Sequence, residues 1–327
     1  MPGETAISLA FVGGGIVALY LGAELLVAGA GRIGHGLGLR AATVGVTIIA
    51  FATTAPELFV AAIGALQVDT DVGLGAIVGS NVANIGLVLG LAALIRPLEI
   101  TEAAFRRDVP FMVFAAFLTY GLAAYDGQIG RFDAALMLVV LTVFSAYLVR
   151  SVSARQSALV DEAAGGAGES GPALSFVVTG IESRDVVLVI GGLLALVIGS
   201  QSLVSGGTDL LSAMGFSPLF IGLTVLAFGT SLPELAASVV GAVRDEVDFA
   251  VGNVVGSNIY NLIAVLGLVA IVVPIPVETG TLRFELPAMI AFTVVLVGLL
   301  AHGRRLSRLD GAFLVGGYCA FIYLLFP

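Results

Sequence analysis

The stretch FATTAPE at residues 51–57 decides how the chain folds, because it returns 177 positions later as FGTSLPE at residues 228–234. At the same offset, residues 44–90 align with residues 221–267 without a gap, and about 20 of the 47 aligned pairs are identical. We call two residues related by this offset repeat partners. A duplication of this length indicates a chain built from two structurally related halves.

The composition is that of an integral membrane protein. Of the 327 residues, 58% are hydrophobic and only 11% are charged, whereas soluble domains carry about 25% charged residues. Ten apolar runs are long enough to cross a bilayer as helices. They cover residues 6–30, 43–66, 72–95, 109–125, 132–149, 186–206, 218–243, 249–273, 286–301 and 311–326. The sequence therefore predicts an all-α membrane protein with ten transmembrane helices. Since no basic segment precedes the first run, we interpret it as a transmembrane helix and not as a signal peptide.

The chain contains no lysine, and this absence excludes several functional classes. A Walker A phosphate loop, a retinal Schiff base and a lysine nucleophile all require that side chain. The formal net charge of −9 lies mostly in loops. Because Cys319 is the single cysteine, no disulfide can form within the chain.

A polar, glycine-rich stretch at residues 151–183 divides the ten runs into two sets of five. We expect a first five-helix repeat at 1–150, a linker at 151–183 and a second repeat at 184–327. Since five is an odd number, the second repeat enters the membrane with the opposite orientation, which makes the repeats inverted. With the N-terminus outside, 12 of the 14 arginines lie in inner loops. The positive-inside rule thus predicts a plasma-membrane protein with both termini outside and a cytoplasmic linker.

Each copy of the first motif places a glutamate within an apolar run, where a charge costs about 3 kcal/mol even on the mildest scales. The following argument applies to both copies. The proline removes the backbone hydrogen bond to the carbonyl of Ala52 or Gly229, and a carbonyl freed at membrane depth needs a partner such as a cation. The threonine four residues before each glutamate shares its helix face. Such oxygen ligands suit calcium, magnesium or sodium. The residues concerned are Thr53, Glu57, Thr230 and Glu234.

A second motif follows each first motif, as GSNVAN at residues 79–84 and GSNIYN at residues 256–261. Its serine and its last asparagine share a helix face and supply neutral oxygens. These residues are Ser80, Asn84, Ser257 and Asn261. Inverted repeats bring their copies together near the middle of the membrane, so we expect Glu57 and Glu234 to meet there. Two carboxylates balance one divalent cation, and they repel each other once it leaves, so protons or monovalent cations must replace it. An antiporter works in this way.

Simpler interpretations apply to a single copy, since a proline in a transmembrane helix is usually a kink and a buried serine or asparagine usually joins helices. The duplication of both motifs favours an ion site. A cation channel with the same ligands would carry passive flux, and an acid protease would need aspartates that neither motif contains. The other polar residues are interpreted as follows: Glu24 as structural; His35, in a glycine-rich loop, and His302 as interfacial; Asp69, Asp71, Glu246 and Asp248 as solvated loop charges.

In these motifs the sequence resembles the calcium/cation antiporter superfamily and, within it, the prokaryotic sodium/calcium exchangers. The signature GTSLPE is intact at residues 229–234 and modified at residues 52–57, and GNVVGSN is intact at residues 252–258. The resemblance covers essentially the whole chain. It implies exchange of Ca²⁺ for Na⁺ by alternating access, in which the first and sixth helices slide against the others. It implies neither an enzyme nor a cofactor nor a nucleic-acid partner, and we expect the chain to function as a monomer in the lipid bilayer.

The resemblance also implies a set of ion ligands. The set comprises Glu57, Glu234, Thr53, Thr230, Thr54, Ser231, Ser80, Asn84, Ser257 and Asn261, with the backbone oxygens of Ala50 and Ala227. The sequence departs from the family pattern at Ala52 and Ala55, which replace glycine and leucine, and at Ala76, which replaces asparagine. Sodium/calcium exchangers often carry aspartate at the position of Asn261. Because two carboxylates remain in place of three, H⁺/Ca²⁺ exchange is the alternative to Na⁺/Ca²⁺ exchange.

Overall fold

The structure, a computed structural model, describes residues 2–37, 41–54, 57–58, 61–62, 70–165, 182–215 and 227–325. In these ranges we number ten helices. They are α1 (Pro2–Gly36), α2 (41–53), α3 (70–95), α4 (Glu102–Asp126), α5 (Arg131–Gly165), α6 (Ser183–Ala213), α7 (227–243), α8 (Val247–Val272), α9 (Thr281–Ala301) and α10 (Arg308–Leu325). Eight of the described helices, all except α2 and α7, are long and apolar enough to cross a membrane. The two shorter helices lie in the runs that carry the first motif.

Several helices depart from regular α-helical geometry. The helices α2, α3, α8 and α9 each contain a π-helical segment, at Gly45–Ile49, Asn84–Leu89, Tyr260–Val265 and Thr281–Glu285. The helix α7 consists of Ala227–Thr230 and Leu232–Val243, joined by a turn at Ser231. Such π-turns are often found at functional sites. In α3 and α8 they begin at, or next to, the last asparagine of the second motif.

The helices α3 and α8 form the centre of the protein. In their most apolar windows 78% and 83% of the residues are buried, whereas the values for the other six long helices lie between 17% and 39%. The outer helices expose large apolar side chains such as Ile7, Val187 and Phe313. Lipid suits such a surface, because it does not penalise exposed hydrocarbon as water does. The burial pattern therefore agrees with a membrane protein in which the second motif lies at the core.

Two short antiparallel β-ribbons reflect the inverted symmetry of the two repeats. In the first, β1 (Leu98–Glu99) pairs with β4 (Arg305–Leu306), and in the second, β2 (Gln128–Ile129) pairs with β3 (Ile275–Pro276). Leu98 lies opposite Leu306, and their repeat partners Ile275 and Ile129 lie opposite each other. Exchanging the two repeats thus converts one ribbon into the other. This confirms the predicted inverted arrangement.

The helices α1 and α6 pack directly against each other through glycines. A Cβ atom added at Gly15 would lie 2.8 Å from the carbonyl oxygen of Gly199, and one at Gly22 would lie 2.8 Å from that of Gly192. These two contacts are again exchanged by the repeat offset. Only glycine permits two helix backbones to approach so closely, so α1 and α6 form a tightly joined pair.

Three features of the chain differ from their sequence interpretation. The helix α5 continues to Gly165, well past the predicted start of the linker at Ser151, because residues 154–164 are rich in good helix formers; residues 166–181 lie outside the described ranges. His35 lies in the last turn of α1 and not in a loop. Asp248 lies in the first turn of α8 and accepts a hydrogen bond from the backbone nitrogen of Thr101 at 3.2 Å, so it is not a solvated loop charge.

Candidate functional site

The first motif of the first repeat is buried at the end of α2. Thr53, Thr54 and Glu57 are all at most 3% exposed. The backbone keeps helical hydrogen bonds here, from the Thr54 nitrogen to the Ala50 oxygen (3.0 Å) and from the Leu58 nitrogen to the Thr54 oxygen (3.2 Å). Ala55 and Pro56 lie outside the described residues. Neither carboxylate oxygen of Glu57, nor the hydroxyl of Thr54, has a hydrogen-bond partner in the part of the chain that the structure describes.

In the second copy of the first motif, the helix is interrupted at Ser231, immediately before Leu232 and Pro233. The turn at Ser231 places Pro233 in the first turn of the helix Leu232–Val243, where the missing N–H is not needed. Sequence analysis suggested that the carbonyl of Gly229 needs a partner such as a cation. In the structure this carbonyl accepts a hydrogen bond from the hydroxyl of Ser200 on α6 at 2.5 Å. Glu234 is fully buried and its Oε1 accepts from the hydroxyl of Ser257 at 3.4 Å. Its Oε2 has no partner among the described residues.

The second motifs approach the first motifs of the opposite repeat. The hydroxyls of Thr53 and Ser257 are 3.4 Å apart, and those of Ser80 and Thr230, their repeat partners, are also 3.4 Å apart. Sequence reasoning predicted that the copies meet across a pseudo-twofold axis, and these reciprocal contacts show that they do. The Ser257 hydroxyl contacts both Thr53 and Oε1 of Glu234, so the two glutamate motifs meet at this serine.

The two asparagines that end the second motifs have different surroundings. Asn84 donates from Nδ2 to Oδ1 of Asn258 at 3.1 Å. Neither Oδ1 nor Nδ2 of Asn261 has a hydrogen-bond partner in the described ranges, although the residue is fully buried. The oxygen of Asn84 is also without a partner there. Both asparagines therefore keep an amide oxygen available for a ligand.

The backbone ligands implied by the resemblance are only partly described. The carbonyl of Ala50 is buried and receives the Thr54 N–H and, at 3.4 Å, the Thr53 hydroxyl. Ala227 begins the described part of α7, and its side-chain surroundings lie outside the description.

Ser231 is fully buried, and its hydroxyl has no partner among the residues described.

The oxygen atoms of the site are ligands that suit a hard cation. Within the described ranges no ion pair involves Glu57 or Glu234, and no group of three His, Cys, Asp or Glu side chains is placed to hold a metal. Buried polar groups are normally hydrogen-bonded, so the oxygens without partners need an explanation. A cation supplies one, because carboxylate, hydroxyl and amide oxygens are ligands of Ca²⁺ and Na⁺.

Sequence reasoning missed four residues that shape this site. Asn253 and Ser238 form a hydrogen bond of 3.0 Å beside Glu234, Asn258 binds Asn84, and Ser200 binds Gly229. The two asparagines belong to the quoted motif GNVVGSN, so a signal was present for them. The two serines lie in apolar helices with no motif of their own, and the sequence gave no sign of their partners.

Comparison with known proteins identifies the family. The model of the family described as "Sodium/calcium exchanger protein" matches residues 7–150 and 185–326. The chain belongs to the sodium/calcium exchanger family. It is 35% identical over 322 residues to the putative antiporter CaxA of Alkalimonas amylolytica, which covers 97% of this chain and 98% of that protein.

Other members of the family are similarly related along their whole length. The inner membrane protein YrbG of Escherichia coli is 30% identical over 319 residues, covering 95% of this chain and 94% of that protein. The sodium/calcium exchanger MaX1 of Methanosarcina acetivorans is 28% identical over 341 residues, covering 95% and 96%. A solved structure of the sodium-calcium exchanger NCX_Mj superposes with a TM-score of 0.81 and 25% identity, covering 98% of this chain and 99% of that one. The chain is therefore a multi-pass membrane antiporter of the cation/Ca²⁺ class.

Proposed function

We propose that this protein exports Ca²⁺ in exchange for Na⁺, and that both ions bind between the two repeats at Glu57 and Glu234. One observation carries the proposal: the reciprocal Thr53–Ser257 and Ser80–Thr230 contacts enclose two buried carboxylates with unsatisfied oxygens and no described basic partner. Ion pairing with Ca²⁺ removes the cost of burying those charges.

In this proposal the neutral ligands complete the coordination of the ion. Hydroxyl groups come from the first motifs and amide oxygens from the second, with the carbonyls of Ala50 and Ala227 added from the backbone. The full set is Glu57, Glu234, Thr53, Thr230, Thr54, Ser231, Ser80, Asn84, Ser257 and Asn261. Ca²⁺ accepts six to eight such oxygens in flexible geometry, so a site that mixes several oxygen types suits it. The ions are transported substrates, and no resident cofactor is needed.

The counter-ion follows from charge balance. When Ca²⁺ leaves, two carboxylates face each other in a buried site, and monovalent cations must take its place. Na⁺ is favoured because MaX1, which matches 95% of this chain in sequence, and NCX_Mj, whose structure superposes on 98% of it, are named as sodium/calcium exchangers. Protons are the alternative, because Asn84 and Asn261 add no negative charge and two protons would neutralise the pair.

Transport requires that the site opens to each side in turn, and we propose that α1 and α6 move together to achieve this. The glycine contacts at Gly15 and Gly22 join these two helices to each other, so they can move as one unit. Inverted repeats commonly provide such alternating access, because each repeat can adopt the conformation of the other. We further propose that the repeats correspond to residues 1–150 and 184–327 and act within one monomer.

Flux of radioactive Ca²⁺ into proteoliposomes tests the proposal. A Na⁺ gradient at uniform pH is compared with a pH gradient in Na⁺-free buffer, and we expect uptake with the Na⁺ gradient alone. Uptake with the pH gradient alone would make protons the counter-ion, and uncoupled downhill flux would indicate a channel. Glu57→Gln and Glu234→Gln should each abolish uptake, with Glu246→Gln, an exposed loop residue, as the control. Unchanged uptake in either site variant refutes the assigned site.

A further inference from the structure

Asn253 is a fully buried residue on α8, one helical turn before Ser257. Its Nδ2 donates to the hydroxyl of Ser238 at 3.0 Å and to the backbone oxygen of Glu234 at 3.3 Å. Its Oδ1 accepts from the hydroxyl of Thr53 at 3.3 Å. One amide group thus touches an ion-ligand candidate in each repeat.

The orientation of this amide is fixed by chemistry. The carbonyl of Glu234 can only accept a hydrogen bond, so it must face the amide nitrogen, and the amide oxygen then faces Thr53. A threonine hydroxyl has a single hydrogen. The Thr53 hydroxyl also lies 3.4 Å from the Ala50 carbonyl oxygen and from the Ser257 hydroxyl, and Oδ1 of Asn253, at 3.3 Å, is the nearest of the three. When Asn253 accepts the hydrogen, the lone pairs of the Thr53 oxygen point elsewhere and are free to bind a cation.

The first repeat lacks this arrangement. The repeat partners of Asn253 and Ser238 are Ala76 and Ala61, so both polar groups are present in one half and both are replaced by alanine in the other. Asn253 and Ser238 hydrogen-bond each other, so alanine at both positions leaves neither of the two without its partner. The second repeat therefore has a hydrogen bond between α7 and α8 at positions where the first repeat has two alanines.

We propose that Asn253 is a positioning residue that orients the Thr53 hydroxyl and holds the Glu234 backbone, so that ligands from both repeats bind the same Ca²⁺. The proposal rests on the proposed function of the site. Because Asn253 acts on the orientation of a ligand and not on the movement of the helices, its loss changes the affinity for Ca²⁺ and spares the maximal rate.

The test uses Ser238→Ala/Asn253→Ala, which copies the alanine pair of the first repeat and leaves neither member of the Asn253–Ser238 pair without the other. In full-length protein in proteoliposomes, we expect the KM for Ca²⁺ to rise about three- to tenfold, the range of one net hydrogen bond, with Vmax within about twofold. A double variant with wild-type KM, in a preparation whose wild type transports Ca²⁺, overturns the role of Asn253 alone. A wild type that neither transports nor binds Ca²⁺ refutes the proposed function instead.

Two further comparisons separate positioning from packing. In a Thr53→Ala background the same double substitution should raise the KM by less than it does in the wild type, because only the contact of Asn253 with the Glu234 backbone is then left to lose; fully additive effects would contradict the proposal. Ser238→Ala alone keeps the contact between Asn253 and Thr53 and should keep the KM near the wild-type value. If that single variant raises the KM as much as the double variant, the effect comes from packing between α7 and α8 and the proposal is overturned. The Ca²⁺-dependent rise in Tm in detergent gives the same readout of affinity without flux.

Discussion

Single residues that are equivalent in the sequence repeat make different contacts in the structure. Glu234 accepts a hydrogen bond from the hydroxyl of Ser257. Neither carboxylate oxygen of Glu57, its repeat partner, is hydrogen-bonded within the described residues. Asn84 donates to Asn258, whereas Asn261 makes no described hydrogen bond. Identical side chains differ here because their neighbours differ. The two halves of the site are therefore not interchangeable, even though their motifs are nearly the same.

This asymmetry predicts different costs for the same substitution in the two repeats. Asn84→Asp and Asn261→Asp each add a buried carboxylate to the same site, so both variants carry the free-energy cost of burying it. Asn84→Asp also replaces the donor that faces Oδ1 of Asn258, which leaves two acceptors in contact and costs about 1–3 kcal/mol. We expect Asn84→Asp to unfold at the lower temperature when both purified proteins are heated in Ca²⁺-free detergent. Equal Tm values for the two variants would show that the asymmetry has no energetic consequence.

The sequence predicted which motif residues lie together but not their supporting partners. Thr53, Ser80, Thr230 and Ser257 approach one another as the inverted repeat required. The contact of Asn253 with Thr53 joins residues 200 positions apart, and no local pattern in the chain reports such a pairing. A buried asparagine in an apolar helix is equally consistent with helix packing, so only the tertiary structure distinguishes the two roles.

At the scale of helices, the sequence located the breaks but not their form. Pro233 indicated an interruption of the seventh run, and the structure places that interruption at Ser231 with the proline in the next helical turn. The π-turns at Asn84–Leu89 and Tyr260–Val265 had no sequence signal, because no residue type specifies a π-turn. Both lie at the second motif in α3 and α8, the two most buried of the long described helices.

The contact between α1 and α6 predicts a sharp difference between two adjacent glycines. A Cβ at Gly192 would lie 2.6 Å from the backbone nitrogen of Leu26 and 2.7 Å from the Gly22 oxygen, whereas one at Gly191 would meet nothing within 4 Å. Gly192→Ala must push the helices apart, at a cost of about 1–3 kcal/mol. Gly191→Ala should be neutral or slightly stabilising, since alanine is the better helix former.

Thermal unfolding and Ca²⁺ flux together measure this difference. We expect a lower Tm and slower uptake for Gly192→Ala, with wild-type values for Gly191→Ala as the matched control. If both variants behave alike, α1 and α6 do not depend on close backbone contact, and their movement as one unit loses its support.

At the scale of the whole molecule, one face is distinguished by its charges. Described ion pairs join Arg96 to Asp245 at 2.6 Å and Arg304 to Glu102 at 3.2 Å. These residues lie in or beside the connections that follow α3, α7 and α9, and the predicted orientation with both termini outside would place these connections in the cytoplasm. The ribbon of β1 with β4 lies on this face, and the ribbon of β2 with β3 connects the helix ends that the inverted topology places on the other. The ion pairs tie several helix ends together on one side of the membrane.

This topology predicts opposite accessibility for two repeat partners. Gln128 on β2 and Arg305 on β4 are both exposed, and the orientation with both termini outside places Gln128 outside and Arg305 in the cytoplasm. In a Cys319→Ser background, Gln128→Cys should react with a membrane-impermeant maleimide in intact cells. Arg305→Cys should react only after the cells are permeabilised. The reverse pattern would mean that the arginine-rich face is external, and it would refute the orientation with both termini outside.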